Sequence, residues 1–311
     1  MAIFAVAVGV FILIKGGDWL MRAAVALSLR FSIPKIVIGM TVVSFATSAP
    51  ELIVSIQSAL SGHPDLALGN VVGSNIANLG LVLAITIIIS PIDVASNFYK
   101  TDWPMMILAT LLFYFFIVTD YKLVAFEGAI LFILLLVFMV YLIKYQKTVD
   151  WDEAPEDDKL LSVSKSVTYL LLGGFSLWLG SETLIKGAVS LANDLGVSER
   201  IVSVSIVSLG TSIPELSASI IAIINKEKAI SLGNLIGSNI FNIMAVMGLT
   251  SMICPVEIQD VGFLSNDIWW MFGISFVILP LVFFPRRSRL GWTDGLILLT
   301  LYSIFILPLF M

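Results

Sequence analysis

Two glutamates, Glu51 and Glu215, sit deep in apolar sequence, each just after a run of small hydroxyl residues. Thr47 precedes Glu51 by four positions and Ser48 by three; Thr211 and Ser212 stand in the same relation to Glu215. On a helix, those spacings bring hydroxyls and carboxylate onto one face. Pro50 and Pro214 immediately precede the glutamates. Proline lacks an N–H and clashes with the carbonyl four residues back, so the carbonyls of Ala46 and Gly210 are predicted to be free of helical bonds. The next apolar stretch of each half adds Ser74 and Asn78, or Ser238 and Asn242, again four apart. Carboxylates, hydroxyls, amide oxygens and loose carbonyls make an all-oxygen donor set. Such donors suit Na+, Ca2+ or Mg2+, and the absence of His and Cys from the set argues against zinc and copper.

An ionised carboxylate in an apolar span is costly unless it is paired, hydrated or bound to a cation. A carboxylate that merely holds helices together would have to arise twice here, at symmetric positions. Two negative charges balance one Ca2+ or two Na+, which is a physical basis for exchange. Either loaded site is near neutral, whereas an empty one carries two buried charges and should resist crossing the membrane. Flexible coordination by many oxygens favours Ca2+ over the strictly octahedral Mg2+.

These residues belong to a segment written twice. One offset of 164 residues carries Ser44 onto Ser208, Thr47 onto Thr211, Pro50 onto Pro214, Glu51 onto Glu215, Gly69 onto Gly233, Ser74 onto Ser238 and Asn78 onto Asn242. The chain is therefore an internal duplication. Gly69 with Gly73, and Gly233 with Gly237, are small-xxx-small pairs that let helices approach closely. Asn70, Asn75, Asn234 and Asn239 read as hydrogen-bonding groups between helices.

The chain is 59% hydrophobic and 13% charged, about half the charge usual in soluble domains. Its apolar runs are long enough to cross a bilayer. We read ten spans, roughly 2–29, 35–60, 66–90, 102–119, 123–145, 164–193, 199–225, 229–254, 267–285 and 291–310. The predicted fold is an all-α polytopic membrane protein with ten transmembrane helices in two five-helix repeats, 1–146 and 164–311. Five is odd, so the repeats enter the membrane from opposite sides and have inverted topology. Residues 147–163 form a linker whose acidic run, Asp150 to Asp158, reads as a solvated tether, its spacing not that of a calcium loop. With the termini outside, the inside loops hold twelve Lys and Arg residues and the outside loops only Lys122 and Arg200. The positive-inside rule therefore places both termini outside and the central loop in the cytoplasm, in an integral, multi-pass protein of a prokaryotic plasma membrane.

The first and sixth spans are long, with Gly16-Gly17-Asp18 matched by Gly180-Ser181-Glu182. They read either as tilted helices whose charges pack or snorkel, or as a mobile gate whose glycines permit sliding. No cleavable signal peptide is evident. Cys254 and His63 are each the only residue of their type, which excludes an internal disulfide and a cysteine cluster. No Ser/His pair, His-Glu-x-x-His or Asp dyad lies in the spans, so an enzyme ranks last. A passive cation channel is the reading from another class; channels more often build pores from rings of subunits.

Ala46-Thr-Ser-Ala-Pro-Glu51 and Gly210-Thr-Ser-Ile-Pro-Glu215, each followed by Gly-Asn-x-x-Gly-Ser-Asn-x-x-Asn, resemble the two alpha-repeats of the cation/calcium exchanger superfamily, within it the sodium/calcium exchanger branch. The resemblance covers essentially the whole chain; Ala46 stands where the family usually has glycine. It implies a secondary active antiporter exchanging Na+ for Ca2+ by alternating access, with no cofactor and no nucleic-acid partner; a monomer is compatible with it. It implies that Glu51 and Glu215 bind Ca2+ in competition with Na+, assisted by Thr47 and Thr211. Ser48, Ser74, Ser212 and Ser238 would complete flanking sodium sites, the backbone carbonyls of Ser44 and Ser208 would ligate sodium, and Asn78 and Asn242 would stand beside the central site. Potassium-dependent members carry an acid at one of these positions; the asparagine at both argues against potassium dependence. The calcium/proton branch usually has Gly-Asn-x-x-Glu where this chain has Thr-Ser-x-Pro-Glu. A Ca2+/H+ antiporter, or one for another divalent cation, is the alternative. The first and sixth spans are similar to long helices thought to slide across the rest of the family's fold.

Overall fold

A computed structural model describes residues 2–145, 161–194, 210–260, 262–284 and 288–310. Among these residues the chain forms ten long helical segments: α1 (Ala2–Arg30), α2 (Lys35–Leu60), α3 (Pro64–Ile89), α4 (Phe98–Asp120), α5 (Ala125–Tyr145), α6 (Val163–Asp194), α7 (Ile213–Ile224), α8 (Lys228–Ile253), α9 (Phe263–Phe283) and α10 (Trp292–Ile306). Seven of them are long and apolar enough to cross a membrane, and α7 and α10 are shorter apolar helices. All ten predicted spans coincide with a helix. The seventh differs in extent, because residues 195–209 lie outside the described part and the helix begins only at Ile213.

The duplication is visible in the backbone. π-helical turns interrupt α3 at Asn78–Leu83 and α8 at Asn242–Met247, both related by the 164 offset. The short strands repeat it. β1 (Ile92–Asp93) pairs antiparallel with β4 (Arg289–Leu290), and β2 (Lys122–Leu123) with β3 (Val256–Glu257). Ile92 and Val256 are themselves offset equivalents, so each repeat lends a strand to the other at opposite ends of the bundle. An Arg289–Asp93 ion pair of 3.5 Å and a Lys228 Nζ bond of 2.8 Å to the Pro91 carbonyl accompany the β1–β4 end. At the opposite end Asp65 accepts the backbone N–H groups of Gln259 and Asp260.

The core is a continuous apolar cluster built from α3, α4, α5, α8 and α9. Its inner layer is α3 and α8, and α8 is buried along nearly its whole length. Helices α1 and α6 stand apart from that cluster and pack antiparallel against each other. Glycines line their seam: Gly9 meets Leu184, Gly16 meets Gly173, and Gly180 meets Leu13. A methyl on Gly173 would lie 2.8 Å from the Leu20 amide nitrogen, so the two backbones touch there with no room for a side chain. The charges that interrupt these helices pair along their own helix. Asp18 binds Arg22 at 3.0 Å and, at the offset positions, Glu182 binds Lys186 at 3.1 Å. Both are i,i+4 pairs within one helix rather than contacts to other helices, and Lys15 lies over the Phe11 ring at 6.0 Å.

Candidate functional site

Four helices, α2 and α3 with α7 and α8, bring the repeated residues together at the centre of the bundle. Glu51 and Glu215 are both 0% exposed and lie within direct electrostatic range of each other. Neither oxygen of Glu51 has a hydrogen-bond partner, and of Glu215 only Oε1 is engaged, by Ser48 Oγ at 3.5 Å. A carboxylate stripped of water without compensation is expensive. The arrangement leaves three carboxylate oxygens buried without a hydrogen-bond partner.

The hydroxyls form bonds that cross from one repeat to the other. Thr47 Oγ1 lies 3.3 Å from Ser238 Oγ, and at the offset positions Ser74 Oγ lies 3.2 Å from Thr211 Oγ1. Thr47 Oγ1 also lies within donating distance of Asn234 Oδ1 at 3.2 Å and of the Ser44 carbonyl at 3.3 Å, its one proton available to either. Ser44 Oγ lies 2.8 Å from the Gly39 carbonyl and 2.9 Å from the Asn234 carbonyl, its one proton available to either. Ser212 Oγ is buried without a partner. Asn70 Nδ2 holds the Glu51 carbonyl at 3.3 Å and Ser55 Oγ at 3.0 Å, and Asn234 Nδ2 reaches Ser219 Oγ at 3.4 Å. Ser44, Thr47, Ser48, Ser74, Asn78, Ser212, Ser238 and Asn242 are all buried, with Thr211 half-buried. Ser208 lies outside the described residues.

The two prolines act differently. Pro50 sits inside α2, which continues through it from Ser44 to Leu60. Pro214 instead opens α7, after a turn at Thr211 and Ser212. Because Pro214 cannot bond the Gly210 carbonyl, that oxygen accepts Ser181 Oγ of α6 at 2.9 Å. The offset equivalent of Ser181 is Gly17, which has no hydroxyl. The released carbonyl of the second repeat is therefore tied to the long outer helix, and the first repeat has no counterpart. Ser181 escaped the sequence reading. Comparing the repeats shows a serine facing a glycine, but the partner of that serine is set by how α6 lies against the turn.

The asparagines complete the centre. Asn75 Nδ2 donates to the Asn239 carbonyl at 3.2 Å and Asn239 Nδ2 to the Asn75 carbonyl at 3.1 Å. Asn78 Nδ2 donates to Asn239 Oδ1 and Asn242 Nδ2 to Asn75 Oδ1, each at 3.1 Å. The Oδ1 atoms of Asn78 and Asn242 are buried without a partner. Asn78 and Asn242 each open a π-helical turn, a distortion frequent at functional sites. The turn after Asn242 packs on α2, and the turn after Asn78 packs on α7.

The chain is similar over its length to proteins that share this architecture. It is 37% identical to the putative antiporter CaxA of Alkalimonas amylolytica over 309 residues, covering 94% of each chain. It is 32% identical to the inner membrane protein YrbG of Escherichia coli over 304 residues, covering 94% of this chain and 91% of the other. Among solved structures, the sodium-calcium exchanger NCX_Mj superposes with a TM-score of 0.83 at 28% identity, over 99% of this chain and 98% of that one. The family described as sodium/calcium exchanger protein matches residues 1–144 and 165–311. With an inverted two-repeat fold of membrane-spanning helices and that match on both halves, the chain is a multi-pass membrane cation exchanger and belongs to the sodium/calcium exchanger family.

Proposed function

We propose that this antiporter exchanges Na+ for Ca2+ at a single buried site between Glu51 and Glu215. The observation that carries the reading is the pair of fully buried carboxylates with three oxygens lacking any partner. A bound cation compensates them without rearranging the core, and two negative charges match one Ca2+ or two Na+. Ser48, Ser212, Thr47, Thr211, Ser74 and Ser238 contribute hydroxyls, Ser44 and Ser208 main-chain carbonyls, and Asn78 and Asn242 amide oxygens. The relative NCX_Mj is described as a sodium-calcium exchanger soaked with Na+ and Ca2+, which supports the same pair of ions here.

Residues 1–146 and 164–311 act as two halves joined by the 147–163 linker, and one chain holds both glutamates, so a monomer suffices. The glycine-lined α1–α6 pair shifts access from one side to the other, with Ser181 linking it to the Gly210 turn. Arg30, Lys35, Lys100, Lys144, Lys226, Lys228 and Arg289 lie at the cytoplasmic end, and both termini are outside. The plasma membrane fits this bias and the inner-membrane description of the E. coli relative.

The test uses purified protein in liposomes loaded with Na+ and diluted into Na+-free buffer at clamped pH. The expected result is radioactive calcium entry that needs internal Na+ and collapses with a sodium ionophore. Entry driven by a proton gradient alone would overturn sodium coupling and make the glutamates proton carriers. Flux independent of any counter-ion would assign a channel.

Replacing Asn242 by aspartate adds a third negative charge beside the pair. Asn242→Asp is expected to favour Ca2+ over Na+ by about tenfold or more, read from calcium uptake at graded external Na+. Unchanged competition would place the side chain outside the coordination shell.

A further inference from the structure

The four asparagines where α3 crosses α8 form a circuit in which each NH2 group makes one bond. A main-chain carbonyl can only accept a hydrogen bond. Asn75 must therefore turn its NH2 group toward the Asn239 carbonyl, and Asn239 its NH2 group toward the Asn75 carbonyl. The Oδ1 of each then points away from that backbone contact. There it accepts the NH2 group of a further asparagine, Asn242 in one half and Asn78 in the other. Once those NH2 groups are committed, the Oδ1 atoms of Asn78 and Asn242 face the other way, and both are buried with no partner. They sit on turns packed against the helices of Glu215 and Glu51 respectively.

We propose that Asn75 and Asn239 are positioning residues that set which end of the Asn242 and Asn78 amides faces the cation. The inference rests on the cation-site reading above and adds to it the determinant of amide orientation. The two ends of an amide have nearly the same shape and opposite polarity. A carbonyl oxygen turned toward a buried cation attracts it, and an NH2 group in the same place repels it. A carboxylate presents oxygen whichever way it turns; an asparagine has one correct orientation and needs a neighbour to hold it. Asn75 holds Asn242, and Asn239 holds Asn78, each reading its own orientation from the opposite backbone.

The experiment measures calcium binding by calorimetry on the purified full chain in Na+-free detergent solution. Asn75→Ala frees the Asn242 amide to turn and is expected to weaken Ca2+ binding about tenfold. Asn239→Ala is expected to do the same through Asn78. The decisive comparison repeats Asn75→Ala in an Asn242→Asp chain. With a carboxylate at 242, orientation no longer matters and the Asn75 Oδ1 faces oxygen instead of an NH2 group, so Asn75→Ala is expected no longer to weaken Ca2+ binding. A residue that only holds α3 against α8 would weaken binding equally in both backgrounds, and that result overturns the proposal. If Asn75→Ala does not fold, Asn239→Ala with and without Asn78→Asp makes the same comparison in the other half. A parent chain that binds no Ca2+ overturns the calcium reading and the proposal with it, and that outcome is read before any variant is compared.

Discussion

On the proposed calcium site, Glu51→Gln is expected to abolish calcium transport and to leave the folded protein as stable as the parent. Glutamine keeps the shape of glutamate, and neither Glu51 oxygen makes a hydrogen bond that the change would break. What is lost is one of two buried negative charges. Ca2+ at the site would then carry an uncompensated positive charge in a medium far less polar than water. Removing one partner of a buried charge pair costs about 3–5 kcal/mol, which corresponds to a loss of roughly two to four orders of magnitude in affinity. Uptake into liposomes should fall below about one hundredth of the parent. In the absence of Ca2+ the melting temperature in detergent should hold, because glutamine keeps the shape of the side chain and no hydrogen bond of Glu51 is lost. Added Ca2+ should raise the parent's melting temperature and leave the variant's unchanged, since a ligand stabilises only the state it binds. Parent-like uptake by Glu51→Gln would remove this residue from the site.

Gly233→Val should prevent assembly of the centre. Gly233 lies where α8 touches the start of α2, with Gly39 on the facing helix. A carbon added at Gly233 would collide with the Ile36 carbonyl oxygen and stand 3.2 Å from the Gly39 Cα. Both obstacles are backbone, which cannot swing aside as a side chain can. The contact also sets register, because one helical turn further along α2 Ser44 donates to the Asn234 carbonyl and Thr47 to the Asn234 side chain. Overpacking costs about 1–3 kcal/mol where side chains can adjust, and more is expected where only backbone can move. The expected outcome is a melting temperature well below the parent's and no calcium uptake at any Na+ gradient. A variant with parent-like melting and transport would show that α2 and α8 can separate at this point without harm.

Much of this protein could be read before any coordinates. Hydropathy and the odd number of spans per repeat gave ten helices of inverted topology, since crossing an apolar layer is a property of each segment by itself. The offset of 164 exposed the duplication, and the depth of Glu51 and Glu215 in apolar sequence marked them as buried carboxylates needing compensation. The spacing of Thr47 and Ser48 from Glu51 put hydroxyls and carboxylate on one face through helix geometry alone. All of these follow from residues near one another in the chain.

Tertiary structure decided the rest, because it depends on which helix meets which. Thr47 could have bonded within its own repeat; the crossing of α2 with α8 pairs it with Ser238 and Asn234 instead. Pro50 and Pro214 occupy equivalent positions, yet one sits inside a helix and the other starts one. In the second repeat Ser181 of α6 takes the carbonyl that Pro214 leaves free, and Gly17 can offer nothing similar in the first. The asparagines showed in sequence as hydrogen-bonding groups without direction. Only the approach of α3 to α8 sets Asn75 and Asn239 against the opposite backbone, so that each NH2 group bonds inside the circuit and the Asn78 and Asn242 oxygens are left buried without a partner. A sequence states which polar groups are present in an apolar layer; packing determines which of their atoms remain unpaired, and those atoms are the ones that can bind an ion.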